Sequence, residues 1–444
     1  MGSEREIAAS IRDKFVRKDD QLPPSSQCRR CIFRVPHMLR RHNEKAFMPK
    51  VVSIGPFHHG NTQLQAMENI KLLYLEHLVL GTGFDILESL VKAIQSIEWE
   101  CRHCYEDPVV DQIRFNEFIE MMVIDGHFIL EFLCRYLEKR KRIRVLDTDD
   151  QVFKTSWMPR KIVADLLLLE NQLPWCVIDC LYNVMISTGL DRFCTVASLV
   201  AVPFSEYRMF KMGNQISPAR TYKHLLDFFR AELVGSCRTE WRAPLCADCC
   251  KSCEEALVWK PIPSVTELLD FEVSFFPAPD QDEVSILDVK FEDGKMKIPK
   301  IFIDENTESL FRNLIALEHC DPSMGTQVTS YAAILGCLVK SPADALHLKQ
   351  KYILHIGSSV HEDPAISFLH SLRNDTSFHG PLYLELCRDV NTFQSEPFRR
   401  YKATLRRDYN LKDPTTFLTV VYGIAFSLFL GILQTIFAIL SYFK

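Results

Sequence analysis

The sequence predicts a mainly α protein: a large, two-lobed helical body with one small β-hairpin, followed by a C-terminal transmembrane helix. Three observations carry this. Apolar residues recur at helical spacing along most of the chain, one segment alternates instead, and no charged residue occurs from Pro414 to Phe443.

Taken in order, residues 1–27 are charged and polar, which predicts a flexible N-terminal segment and offers no apolar run for a secretory signal. The N-terminal helical lobe spans 28–234. Within it Leu64, Met67, Ile70, Tyr74 and Leu78 form one apolar stripe, with Glu68, Lys71 and Glu76 placed off it. Two further stretches, 121–137 and 162–186, are apolar but interrupted by Asp125, His127, Glu131, Asp165, Glu170 and Asp179, so they belong to a soluble core. Glu170-Asn171-Gln172-Leu173-Pro174, inside the second stretch, reads as the end of a very apolar helix, polar side chains satisfying its last carbonyls and proline stopping it. Asp125 and Asp165 read as hydrogen-bonded groups between packed helices. A helix at 221–233 completes the lobe.

Residues 235–264, with their cysteines, prolines and tryptophans, form a connector to the C-terminal lobe, 265–412. There Leu287, Val289 and Phe291 alternate, Asp293-Gly294 supplies a turn, and Met296 and Ile298 resume the alternation, which is a hairpin signature. Helices follow at 307–319, 328–339 and 383–393. Ser341-Pro342 and Asp363-Pro364 each place a capping side chain before a proline at the first helical position.

The transmembrane helix is expected at 417–443, about 40 Å of rise against a hydrocarbon core of about 30 Å, so it tilts or suits a thick bilayer. Lys402, Arg406, Arg407 and Lys412 precede it and only Lys444 follows, which predicts a tail anchor with the body facing the cytosol. The membrane is then the plasma membrane or an endomembrane, the acceptor Asn374-Asp375-Thr376 stays unglycosylated, and basic residues from Arg399 to Lys412 attract anionic lipid. Gly423, Ser427, Gly431 and Thr435 recur every four residues, a packing face compatible with a homo-oligomer or simply with a membrane helix.

A net charge of −5 excludes a generally basic nucleic-acid coat, and Lys139-Arg140-Lys141-Arg142, soon followed by Asp147, Asp149 and Asp150, reads as a solvated loop. Without a secretory signal the 16 cysteines are expected as reduced thiols.

Ordered motifs run along the body: Ile32-Phe33-Arg34-Val35-Pro36, Ala46-Phe47-Met48-Pro49, Val52-Ser53-Ile54-Gly55-Pro56-Phe57-His58-His59-Gly60, Met67-Glu68, Ile124-Asp125-Gly126, the Glu170 to Pro174 run, Ile298-Pro299, Asn313 to Glu318 and Thr329-Ser330-Tyr331. Together they resemble the plant family known as domain of unknown function 247, from about Cys31 to the end. The sequence departs from its pattern at Phe47 and Phe57, often tyrosine there, and at Leu268 to Val273. The resemblance implies a plant-specific, single-pass membrane protein without established catalysis, some grass relatives being linked to self-incompatibility. It singles out Arg34, Pro36, Gly55, Pro56, His58, His59, Gly60, Glu68, Asp125, Glu170, Asn171 and Pro174 as motif residues of unassigned role.

Two groups could carry chemistry. His37, His42, His58 and His59, with Glu44 and Glu68, combine imidazole and carboxylate but lack a His-Glu-x-x-His spacing, and the turn framed by Gly55, Pro56 and Gly60 gives the last two histidines a bracing role. Cys246, Cys249, Cys250 and Cys253 form two Cys-x-x-Cys pairs, with Cys28/Cys31 and Cys101/Cys104 as others, but adjacent Cys249 and Cys250 leave little chain to wrap a zinc ion. The reading is therefore a membrane-held recognition or signalling protein with an unidentified protein partner, no nucleic acid, no cofactor, no metal and no catalytic residue. The alternative is a membrane-bound metal- or thiol-dependent enzyme using the His58/His59 region or the Cys246–Cys253 loop.

Overall fold

The computed structural model describes residues 30–108, 110–141, 150–187, 195–207, 221–237, 259–279, 285–358, 360–372, 382–397, 399–401, 404 and 414–442. The fold is mainly helical, with small sheets. It divides into two compact units that interleave along the chain. The first takes Met1–Val35, Pro49–Val200 and Thr221–Asp227; the second takes Pro36–Met48, Ala201–Arg220 and Phe228–Lys444.

In the first unit, α1 (Gln65–Thr82), α2 (Asp85–His103) and α5 (Trp175–Ser187) pack against α3 (Phe115–Lys141), and the short α4 (Met158–Asp165) lies between α3 and α5 in the chain. Phe118, Met122, Phe128 and Phe132 of α3 are fully buried, each contributing about 1.5–3 kcal/mol by leaving water. Gly126 sets the approach of α5: a Cβ there would lie 2.4 Å from Leu181 and 3.2 Å from Val177.

Two expectations are corrected in this unit. The Glu170 to Pro174 run does not end an apolar helix; α4 stops at Asp165, a non-helical passage follows, and Pro174 directly precedes α5. The polar run does satisfy end carbonyls, but those of α4 and the turns after it. Asn171 Nδ2 donates to Asp165 O at 2.9 Å, and Gln172 Nε2 to Leu166 O and Leu168 O at 2.7 and 2.8 Å. Lys71 does not lie off the apolar stripe of α1 but is buried within it, being four residues after Met67 and three before Tyr74.

The chain continues through α6 (Val196–Phe204) and α7 (Leu225–Gly235). In the second unit α8 (Val265–Asp270) opens with a capping box between Ser264 and Glu267. The expected hairpin is present: β2 (Lys290–Glu292) pairs antiparallel with β3 (Lys295–Ile298), Phe291 opposite Met296, across Asp293 and Gly294 at φ 49° and 73°. Both φ values are positive, the geometry that asparagine, aspartate and glycine tolerate in tight hairpin turns. Beyond the hairpin, β1 (Ser274–Pro277) pairs parallel with β3, and β4 (Ile301–Ile303) pairs parallel with β5 (Leu354–Ile356).

Helices α9 (Thr307–Cys320), α10 (Gln327–Leu338), α11 (Pro342–Gln350), α12 (Glu362–Ser371) and α13 (Leu384–Ser395) build the rest of this core. Ser341 caps α11 as expected, in a box with Asp344. Asp363 does not cap α12; the helix starts two residues earlier, with His361 at its N-cap, leaving Asp363 and Pro364 within the first turn. Short segment Pro36–Met48 belongs here because Asn313 Nδ2 of α9 donates to Ala46 O at 2.9 Å and Asn43 Nδ2 donates to Glu308 Oε1 at 2.7 Å. The last helix, α14 (Pro414–Tyr442), is apolar, and its Val421–Ile439 stretch has no buried residue.

Candidate functional site

Asp125 and Asn171 of the motif set, together with Asp165 and Lys71 outside it, converge on one irregular strip of backbone, Lys50 to Gly55. Such a strip has no ladder of its own, so its N–H groups need side-chain acceptors when buried. Asp165, at the end of α4, accepts from Lys50 N, Val51 N and Val52 N at 3.0, 2.6 and 3.0 Å. Asn171 Oδ1 accepts from Ile54 N at 2.7 Å while its Nδ2 donates to Val52 O at 3.1 Å. Asp125 Oδ2, on α3, accepts from Gly55 N at 2.8 Å. Each polar side chain therefore holds a successive peptide of the strip.

Lys71 closes the network. Its Nζ donates to Asp125 Oδ1 at 2.6 Å, to Glu68 Oε1 at 2.7 Å and to Ser53 O at 2.5 Å. Burial works against its ammonium, but Asp125 and Glu68 outweigh that and hold its pKa above the usual lysine value. Asp165 has no such cation bonded to it, and burial pushes its pKa up to about 6 against the pull of the three backbone N–H groups. Gly55 is required where it stands. Its φ is +71°, and a Cβ would come within 2.7 Å of Gln172 O.

The remaining motif residues frame this strip. Glu170 Oε1 accepts from Val35 N at 2.7 Å, and its Oε2 lies 3.8 Å from Nε2 of the buried His58. Arg34 stacks its guanidinium 4.2 Å above the Phe57 ring and donates to Asp107 at 2.6 Å. The expected turn is formed, Pro56 following Gly55 and Gly60 taking φ +77°, with His59 and Gly60 exposed. Pro174 O accepts from Val177 N in the first turn of α5. Pro36 lies in the second unit, as the N-cap of the single turn His37–Arg40.

The histidine group expected from the sequence is divided: His37, His42 and Glu44 belong to the second unit, His58, His59 and Glu68 to the first. Among the described residues no group of three or more His, Cys, Asp or Glu has the placement of a metal site. Segment 1–27, Cys28, the Cys246–Cys253 loop, the acceptor Asn374-Asp375-Thr376 and most of the 399–412 basic stretch lie outside the described residues. Arg142 and 147–149 do as well, whereas Lys139, Arg140 and Lys141 are not a loop but the exposed last turn of α3, Lys139 donating to Phe153 O. On α14 the four small residues share one groove-lined face, and Ser427 and Thr435 return their hydroxyls to Gly423 O and Gly431 O at 2.8 Å. That local bonding lets hydroxyls sit in an apolar surrounding without external partners.

Lys71 is the member of this network that sequence reasoning missed. Its burial was signalled by helical spacing, since positions 67, 71, 74 and 78 lie on one side of a helix as surely as 67, 70 and 74 do.

A second instance of the same device occurs in the other unit. Glu318 of α9 accepts from Val328 N, Thr329 N and Thr329 Oγ1 at 3.0, 2.8 and 2.7 Å, capping α10, and Arg230 Nε donates to it at 2.9 Å. Asn313 likewise serves a long-range backbone contact, to Ala46 O, whereas Glu318 holds the backbone of the helix that follows its own.

A family model described as "Plant protein of unknown function", that of domain of unknown function 247, matches residues 32–429. The chain belongs to this family. As a DUF247 protein it is 29% identical over 432 residues to UPF0481 protein At3g47200 of Arabidopsis thaliana, covering 93% of this chain and 87% of the relative. It is also 23% identical over 416 residues to Putative UPF0481 protein At3g02645 of the same plant, covering 73% and 74%. No solved structure matches this DUF247 chain at a significant level.

Proposed function

We propose that this DUF247 protein is a single-pass membrane protein whose helical body binds a protein partner at the cytosolic face and carries out no catalysis. The observation that supports it most is α14: Val421–Ile439 is apolar, 19 residues long and entirely unburied. A continuous apolar surface of that length aggregates in water and is at rest in lipid. The basic residues Lys402, Arg406, Arg407 and Lys412 on its N-terminal side favour a cytosolic body, in the plasma membrane or an endomembrane. The absence of catalysis is supported by Asp125, Asn171 and Asp165, whose acceptors are occupied by the protein's own backbone around 50–55.

The test is extraction of membranes from cells making the full chain, paired with Phe429→Arg, which puts a charge costing about 2.5–3.5 kcal/mol mid-helix. The native chain is expected to resist alkaline carbonate, the variant to wash out, and added protease to degrade the body without permeabilisation of intact cytosol-side-out vesicles. A native chain that washes out as readily as the variant overturns the anchor. Proximity labelling from the anchored chain then names the partner; turnover of small metabolites by the purified chain, lost on His58→Ala, overturns the binding role.

A further inference from the structure

Four thiols from three separate segments of the first unit converge where the end of α2 meets the start of α5. Cys101 lies in the last turn of α2, Cys104 is its C-cap, and Cys31 donates its backbone N–H to Cys104 O at 2.8 Å. Cys176 is the second residue of α5, and its Sγ stands 3.9 Å from that of Cys101. Cys31, Cys101 and Cys104 are buried, whereas Cys176 is partly exposed.

We propose that Cys176 is a hydroperoxide-reactive thiol and that Cys101 resolves its oxidised form as a reversible disulfide joining α2 to α5. The accessible member sits in the first turn of a 13-residue helix, where backbone N–H groups and the helix dipole favour a thiolate. Hydrogen bonds from the thiols of Cys101 and Cys104 lower its pKa against the opposing effect of burial. The inaccessible member stands behind it at a distance that must close by about 1.9 Å to reach the S–S length of about 2.05 Å.

The chemistry balances in two steps. Cys176 thiolate attacks one peroxide oxygen; an S–O bond forms, the O–O bond breaks, and the other oxygen leaves as water or alcohol with the thiol proton. Sulfur is oxidised to a sulfenic acid and the peroxide is reduced. Cys101 sulfur then attacks the sulfenic sulfur; S–S forms, S–O breaks, and hydroxide leaves as water with the Cys101 proton. Two thiols and one hydroperoxide become one disulfide, one alcohol or water, and one further water.

The experiment uses the full chain in mild detergent, reduced, then treated with equimolar hydrogen peroxide and mapped by mass spectrometry without reduction. The expected result is loss of two hydrogens and a Cys101–Cys176 linked peptide that dithiothreitol separates. In Cys101→Ala, dimedone is expected to trap sulfenic acid at Cys176; in Cys176→Ala, oxidation of Cys101 is expected to slow at least tenfold. The mapping on the unaltered chain needs no variant, so misfolding of either leaves the test intact. A Cys176 that stays reduced while other thiols oxidise, a Cys176–Cys180 link in its place, or four thiols holding stoichiometric zinc would each overturn the proposal.

Discussion

Asp125 and Asp165 hold neighbouring parts of the same backbone strip by opposite means. Asp125 takes one backbone N–H, from Gly55, and is neutralised by the buried Lys71; Asp165 takes three, from Lys50 to Val52, with no cation bonded to it. Backbone N–H groups can satisfy a buried carboxylate's lone pairs without fully compensating its lost hydration, which is why Asp165 is pushed up to about 6. The ion pair makes the opposite bargain: Asp125 depends on one lysine that itself cannot be left alone.

The largest expected effect tests that dependence. Lys71→Met strands the Asp125 charge and is expected to cost about 3–5 kcal/mol, read as a lower denaturant midpoint and loss of hydrogen-exchange protection at Ile54 and Gly55. Adding Asp125→Leu should recover part of it, since removing both members of a buried pair is milder than removing one. A Lys71→Met protein as stable as the parent would show that the pair does not hold the strip.

Asp165→Ala leaves the N–H groups of Lys50, Val51 and Val52 without their acceptor and should cost about 2–3 kcal/mol, with exchange accelerated at those three amides and not at Gly55. Accelerated exchange along the whole strip would mean that the two aspartates act as one unit.

The smallest effect separates them by pH. Because the folded Asp165 binds a proton more readily than in the unfolded chain, the folded state holds more protons between about pH 4 and 6, and protonation favours folding. Lowering pH from 7 to 5 is expected to gain about 1 kcal/mol from this group. Asp165→Asn should remove that slope while keeping one acceptor; an unchanged difference between parent and variant across this range would place Asp165 at an ordinary pKa.

Features set by neighbours in sequence were legible. The Asp293-Gly294 turn, the Ser341 cap and the apolar run of α14 each depend on a few adjacent residues, and each forms where the sequence indicates. The motif residues were legible as a set and not as a device. Nothing local says that Asp165 serves Val52, 113 residues away, or that Asn171 serves Ile54, 117 away. Lys71 was misplaced because a charged residue on a helix is ordinarily assigned to water, and its burial becomes tolerable through Asp125, 54 residues later, together with Glu68 and Ser53 O.

By itself the sequence determined family membership, helical character, the hairpin and an apolar C-terminal helix, because propensity, periodicity and turn chemistry act over a few residues. Tertiary structure alone decided that Pro36–Met48 belongs to the second unit, that 166–174 stays non-helical, that Asp125, Asp165, Asn171 and Lys71 converge on Lys50 to Gly55, and that four cysteines meet. Those outcomes rest on buried polar groups finding partners far along the chain, and hydrogen-bond satisfaction of that kind is a property of the folded whole.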